Sequence, residues 1–470
     1  MLRKSFLFVI VLSCISFLLM SSLSILNQYK YWDETIYVNL GRNLVLYGDY
    51  SFSNGFSDFA LGLPNAGIRP PMLPFIIFFL SLFSLNDFWL NFITPLISSF
   101  GIIFLFLLCE KLFNQRVALI SSILFFITPS FFFWGSKILN DSIATSYLII
   151  ASYFFFNAFI LEGDFRFKRN CALLFGLFIG LSFLSRYNSP WIFPLFFVIL
   201  LIRNKNFSFL FERNFLYSIS LSFLVVLPWF IFNYFSYGSV FGFLLSSSIS
   251  SVIWGFKPIL FYFKTLIRDY VYFLPFLIIG FFVSFKLKIE PSKKYFFPLW
   301  FFIIFICASL TPAKEDRYLL LIAPSILVIS SLAFYYISKK SKLLFYILYF
   351  ILLSILLFKV SNFYFDSYEN INSEDKKCFF SVMDFIKKSN SSAVITEYFS
   401  PVYYYTLKPN IRVNNYNNLE KILKKDYLDK EIYYFYVDGD WFNLNKQTNN
   451  FKEIYTCGKY NLFVFKNASS

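Results

Sequence analysis

Apolar residues fall into repeated blocks, separated by short polar connections, from residue 5 to residue 360. A helix of about 20 residues crosses the roughly 30 Å of hydrocarbon in a bilayer, so blocks of this kind read as transmembrane helices. About 11 are predicted, at 5–26, 89–109, 117–134, 142–161, 171–187, 189–202, 215–236, 270–285, 295–310, 318–337 and 343–360. Beyond residue 360 the pattern changes. Strand-like runs at 393–397, 431–437 and 460–466 alternate with helix-like stretches at 378–388 and 419–430, which predicts a small α/β domain. The expected fold is therefore an α-helical polytopic membrane protein. It has a transmembrane domain over 1–360, a large first external loop over 27–88, and a soluble extracytoplasmic α/β domain over 361–470.

Charge fixes the expected orientation. With the N-terminus cytoplasmic, the loops on that side carry Lys111 and Arg116, Arg166, Lys168 and Arg169, Arg203, Lys205 and Arg213, Lys286, Lys288, Lys293 and Lys294, then Lys339, Lys340 and Lys342. All of them obey the positive-inside rule. The scheme requires that the apolar stretch 71–85 not cross, since one extra span would invert every later loop. That stretch is short and opens on Pro70, Pro71 and Pro74, which suits an interfacial or re-entrant helix. The opening Leu2-Arg3-Lys4 and the apolar run behind it resemble a signal peptide, but without a small-residue cleavage site before Asn27 the run reads as an uncleaved first span.

Composition agrees and narrows the chemistry. The chain is 58% hydrophobic with 71 Phe, more apolar than a soluble core requires. Its net charge of +15 lies largely in short interspan loops, which points to topology and anionic headgroups and away from nucleic acid. The absence of histidine excludes His-based acid–base dyads and His-bound zinc. Cys14, Cys109, Cys171 and Cys307 sit in apolar runs as small hydrophobes, while Cys378 and Cys457 are placed to form a disulfide if the C-terminal region is external.

The segments assigned to the external side hold nearly all the unusual polar residues. The first loop opens with Asp33 and Glu34 beside the membrane boundary, where carboxylates are costly unless used or neutralised. They also suit a helix N-terminus. The same loop ends at Arg69-Pro70-Pro71, a guanidinium suited to phosphate or, equally, to snorkelling. Lys137 and Asp141 flank the second external turn, and Asp141 alone could be an N-cap. Arg186-Tyr187-Asn188 and Lys314-Glu315-Asp316-Arg317-Tyr318 are two further charged turns on that side. Arg69, Lys137, Arg186 and Arg317 are the candidate phosphate contacts, and Asp33, Glu34 and Asp141 the candidate catalytic carboxylates. No Walker loop or G-x-G-x-x-G occurs, and Asp438-Gly439-Asp440 follows a strand-like run, so it reads as a turn before it reads as a metal-binding D-x-D.

Taken in order, these features resemble the C-type membrane glycosyltransferases, relatives of the protein O-mannosyltransferases and of bacterial lipid A aminoarabinose transferase. The features are Asp33-Glu34 after the first span, Arg69-Pro70-Pro71 at the end of the loop, the basic turn from Glu110 to Arg116, Asp141, and Arg317-Tyr318 ahead of Pro324. Arg69 stands where the family more often has Lys or His. The resemblance implies an inverting transfer from a polyprenyl-phosphate sugar, dolichyl type in an archaeal or eukaryotic source, to a hydroxyl of a protein, lipid or glycan. Asp33 would be the general base, Arg69 and Arg317 would neutralise the departing phosphate, and Asp141 would orient the acceptor or assist the base. Asp33 and Asp141 are compatible with Mg²⁺ or Mn²⁺ without requiring either. A transporter or flippase for lipid-linked sugars, or a non-catalytic relative that binds them, is the alternative. Transporters usually show internal repeats and mid-membrane charges, and neither is evident here. The long external loop 237–269, with Ser246-Ser247-Ser248 and Trp254, is a candidate lid or an interfacial segment.

Overall fold

The computed structural model describes residues 4–27, 30, 32–50, 69–241, 258–311, 314–396, 399–408, 410–411, 431–437 and 451–465. The chain divides into two compact units. One comprises residues 1–25, 70–72 and 87–364, and the other residues 26–69, 73–86 and 365–470.

The described part of the first unit is helical. It contains α1 (Lys4–Leu26), and the helices α4 (Leu90–Leu112), α5 (Gln115–Ile127), α6 (Pro129–Gly135), α7 (Asn140–Phe155), α8 (Phe165–Ser185), α9 (Phe193–Asn204) and α10 (Arg213–Tyr237). After them come α11 (Phe261–Tyr270), α12 (Leu274–Lys286), α13 (Phe296–Leu310), α14 (Ala323–Lys340) and α15 (Lys342–Asn372). Eight helices among the described residues are long and apolar enough to cross a membrane, or up to nine if α5 and α6 form one broken span. The chain is a multi-span membrane protein.

The predicted span 117–134 is bent by 58° between α5 and α6. The cause is local: Pro129 cannot donate to the helical ladder and drives Thr128 to an extended ψ of 118°. At the other end of α5, the Asn114 side chain accepts from the Arg116 and Val117 amides, so the turn between Lys111 and Arg116 doubles as a helix cap. The predicted spans 189–202 and 295–310 are shorter apolar helices, Ser189–Asn204 and Phe296–Leu310. The predicted 270–285 begins earlier, within an apolar stretch running Phe261–Lys286.

Close packing in this unit depends on small residues. An added methyl at Gly280 of α12 would penetrate the Ile329 carbonyl of α14, and one at Gly176 of α8 would do the same to the Ser218 carbonyl of α10. Backbone cannot yield as a side chain can. Gly280→Ala is expected to destabilise the solubilised protein by about 1–3 kcal/mol through overpacking, read as a lower thermal midpoint. An unchanged midpoint would mean the two helices separate without cost.

The second unit contains α2 (Trp32–Tyr47), α3 (Met72–Ser81), α16 (Glu374–Lys388), α17 (Phe399–Thr406) and one five-stranded sheet. Its strands are β1 (Ala393–Ile395), β2 (Asn410–Ile411), β3 (Ile432–Val437), β4 (Phe451–Cys457) and β5 (Tyr460–Phe465), in the order β2-β1-β3-β5-β4. β1 pairs in parallel with β2 and β3, and β5 pairs antiparallel with β3 and β4. Phe379, Val382, Met383 and Ile386 recur at helical spacing along α16 and bury against Val394, Phe435 and Leu462 of the sheet. Cys378 of α16 and Cys457 of β4 are disulfide-bonded, 79 residues apart in sequence.

Ten residues of α3 span about 15 Å, half of what a crossing needs. Phe79, Leu82, Leu85 and Phe83, the last 90% exposed, project from this helix and the turn after it. α3 also lies tight against α2, since a Cβ on Gly41 would come 2.7 Å from the Pro74 carbonyl.

Candidate active site

In the second unit the chain from residue 32 enters α2 with Asp33 and Glu34 in the first turn, the position where the helix dipole favours carboxylates. Glu34 is fully buried and Asp33 nearly so. An acidic pair so placed must be compensated. Arg69 supplies that for Asp33: its Nη2 donates to Asp33 Oδ1 at 2.6 Å. Arg69 is itself held by the turn ahead of α3, where its carbonyl accepts from the Tyr50 hydroxyl at 3.2 Å. The carboxylate and guanidinium selected from sequence, 36 residues apart, are thus one ion pair.

The polar character of α2 continues along its buried side through Thr35, Asn39, Arg42 and Asn43. Here the C-terminal part of the second unit makes contact. Tyr403 of α17 donates to Asn43 Oδ1 at 2.8 Å, and the Arg42 guanidinium sits 5.2 Å from the Tyr404 ring centroid. The Lys30 amide donates to the Tyr405 hydroxyl at 3.0 Å. Burial raises the Tyr403 phenol well above its ordinary value, so it stays a neutral donor. None of these α17 residues was singled out from sequence.

In the first unit, Asp141 lies in the first turn of α7, with Leu139 at the N-cap position. Its carboxylate is directed to cations. Arg186 Nη1 is 2.6 Å from Oδ1, and Arg317 Nη1 is 3.9 Å from Oδ2. Arg186 follows the last turn of α8 in extended backbone. Arg317 is carried by the tight helical turn Asp316–Ile322 that leads into α14. Arg317 Nε also donates to Glu315 Oε2 at 2.5 Å. The Arg186 guanidinium lies 4.4 Å from the centroid of the Tyr318 ring, whose hydroxyl donates to Glu315 at 3.4 Å. Three residues chosen from separate turns therefore converge on one buried cluster. Glu315 and Tyr318 complete it; in sequence Glu315 was visible only as part of a charged turn, and Tyr318 as the residue paired with Arg317 ahead of Pro324. Lys314 stands beside it, its ammonium donating to the Thr311 carbonyl at 2.6 Å, and burial lowers its pKa. Lys137 points its ammonium at the Phe133 ring, 5.1 Å from the centroid.

Among the described residues, no group of three or more His, Cys, Asp or Glu side chains is arranged to hold a metal ion. Asp438-Gly439-Asp440, the helix-like stretch 419–430 and most of the loop 237–269, with its serine cluster and Trp254, lie outside the described residues.

Residues 68–232, a stretch that includes Arg69, Lys137, Asp141 and Arg186, match the family described as dolichyl-phosphate-mannose-protein mannosyltransferase. Comparison with curated proteins gives no match. Among solved structures, ArnT from Cupriavidus metallidurans bound to undecaprenyl phosphate is similar with a TM-score of 0.78 at 11% identity, covering 98% of both chains. The Archaeoglobus fulgidus oligosaccharyltransferase tethered with an acceptor peptide is similar at 0.63 and 14% identity, covering 93% of this chain and 69% of that one. AglB from Archaeoglobus fulgidus, in complex with an inhibitory peptide and a dolichol-phosphate, is similar at 0.59 and 13% identity, covering 91% and 69%. At such identities the likeness is one of fold. Together with the family match it bears out the resemblance to C-type glycosyltransferases drawn from the sequence, and both comparisons point to a membrane glycosyltransferase.

Proposed function

We propose that this protein is an inverting glycosyltransferase that moves a sugar from a polyprenyl-phosphate donor, of dolichyl type in an archaeal or eukaryotic source, to a hydroxyl of a protein, lipid or glycan on the non-cytoplasmic face. The observation that carries the reading is the Asp33–Arg69 pair, a nearly buried carboxylate held against a partly exposed guanidinium. Such a pair supplies the two functions the reaction needs. Asp33 takes the proton of the acceptor hydroxyl as its oxygen bonds to the anomeric carbon, and the bond from that carbon to the phosphate oxygen breaks. The electron pair leaves with the polyprenyl phosphate, whose charge Arg69 offsets; a guanidinium can serve a carboxylate and a phosphate at once. Arg317, Arg186 and Lys137 are further phosphate-facing cations in this reading, Asp141 orients the acceptor, and Glu34 supports Asp33. One displacement inverts the anomeric centre. Incubating the purified protein and membrane extract with polyprenyl-phosphate sugars tests the reading through release of polyprenyl phosphate. No release above a boiled control from any of them would overturn it.

The orientation belongs to the same proposal. Eleven crossings follow if α5 and α6 count as one span, the two shorter helices Ser189–Asn204 and Phe296–Leu310 cross, and α3 does not. Residues after 360 then lie outside. The Cys378–Cys457 disulfide supports that side, because such bonds persist in oxidising compartments. In membranes alkylated before lysis, both thiols are expected to resist a polyethylene-glycol maleimide until reductant is added. Ready labelling without reductant would place the domain on the reducing side. Removing the bond through Cys378→Ser is expected to cost about 2–5 kcal/mol of domain stability.

A further inference from the structure

The second unit carries a cleft that the proposed transfer does not use. It is about 390 Å³ in volume, within the roughly 300–1,000 Å³ range of small-molecule sites. One wall is the last two turns of α16 with Ser381, Asp384, Phe385 and Lys388; the other is sheet, with Tyr433 of β3 and Tyr455 of β4. The walls are tied together twice. The Cys378–Cys457 disulfide joins α16 to β4, and the Ser381 and Tyr455 hydroxyls hydrogen-bond at 2.5 Å. A cleft braced in this way loses little entropy when a ligand enters.

Its chemistry is selective. Phe385, an exposed ring, lies nearly parallel to the half-buried Tyr455 at 25° and to the buried Tyr433 at 28°, so Phe385 and Tyr455 supply the aromatic surface of the cleft. The faces of such rings are electronegative and suit the electropositive C–H edges of a sugar ring. Around them stand hydroxyls and a carboxylate. Among the described residues the charged lining groups, Asp384 and Lys388, are paired at 2.6 Å through Oδ2, and one charge of each sign flanks them, Glu431 at the Tyr433 hydroxyl and Lys408 at the Ser389 carbonyl. Asp384 Oδ1 has no hydrogen-bond partner among the described residues and is open to a ligand hydroxyl. On a chain of net charge +15, a cleft with no net charge discriminates against phosphate and carboxylate ligands.

We infer that this cleft binds an uncharged saccharide, by stacking on the Phe385 and Tyr455 aromatics and hydrogen bonding to Asp384 and Ser381. It adds to the proposed reaction without depending on it, because the cleft contains none of the residues assigned to transfer.

The test uses the full-length protein in phosphatidylcholine nanodiscs, which carry no sugar headgroups. Saturation-transfer NMR is run with methyl α-D-mannopyranoside, methyl β-D-glucopyranoside and methyl β-D-galactopyranoside, and with N-acetylneuraminic acid as the anionic comparison. Saturation of ring protons is expected in at least one neutral glycoside and not in the acid. Asp384→Asn and Tyr455→Ala are each expected to weaken that binding by about tenfold or more, the loss of one good contact. Asp384 is largely exposed, so its variant leaves the fold intact even if Tyr455→Ala does not. Asp33→Asn should retain binding whether or not it transfers sugar, which separates a failure of the cleft from a failure of the proposed activity. No signal from any neutral glycoside, a signal equal in the wild type and Asp384→Asn, or preference for the acid overturns the inference.

Discussion

Asp33→Asn is expected to lower sugar transfer by about 10²–10⁴-fold, the usual contribution of a positioned general base. The amide keeps the size and hydrogen-bonding reach of the carboxylate but cannot accept a proton. It also removes the anion facing Arg69, whose side chain is 27% exposed and can be solvated instead, so expression and thermal midpoint should change little. Loss should therefore appear in kcat with little change in donor KM, the signature of an interaction made only in the transition state. Full activity in a folded Asp33→Asn protein would remove Asp33 from the mechanism and leave its ion pair with Arg69 as a structural clamp.

The second large effect is on stability. Arg186→Met removes the cation 2.6 Å from Asp141, whose side chain is only 2% exposed. Stranding a buried carboxylate in this way typically costs about 3–5 kcal/mol. Arg317, at 3.9 Å, offsets part of that loss. Restoring neutrality with Asp141→Asn in the Arg186→Met background is expected to recover some of the stability, with a coupling of about 0.5–3 kcal/mol for groups in direct contact. Thermal midpoints of the four proteins close the cycle. Additive single effects would mean the two side chains do not share the buried contact described above.

How far the sequence leads differs between the two units. The long apolar blocks identify helices reliably because about 20 lipid-compatible residues have few other uses. Proline marks where that reading needs adjustment: Pro129 breaks a block that hydropathy alone runs straight through. The short proline-led stretch from residue 71 was readable as a short helix, and α3 has only ten residues. The strand Phe451–Cys457 was missed because Lys452, Glu453 and Thr456 interrupt its apolar pattern. Its signal was the turn, where Gly458 at φ 56° and Lys459 form a two-residue hairpin connection.

The site was half legible. Charged residues beside apolar spans stand out because burying them is expensive, and on that ground Asp33, Arg69, Asp141, Arg186 and Arg317 were chosen. Their grouping was not legible, since nothing in spacing says that Arg186 and Arg317 share Asp141 while Arg69 takes Asp33. The aromatic support was invisible for a simpler reason. With 33 Tyr and 71 Phe, no single ring is conspicuous, and Tyr403 and Tyr404 become noticeable only through what they touch.

The packing of α2 against α17 bears on how the protein is made. Tyr403 leaves the ribosome 360 residues after its partner Asn43. The helix that carries Asp33 therefore waits through the synthesis of those 360 residues for the hydroxyl and rings that complete its surroundings. A stalled or truncated chain would carry Asp33 without them. Quality control thus has a long-range signature to act on, because a polar helix acquires part of its native surroundings only from a segment made 360 residues later.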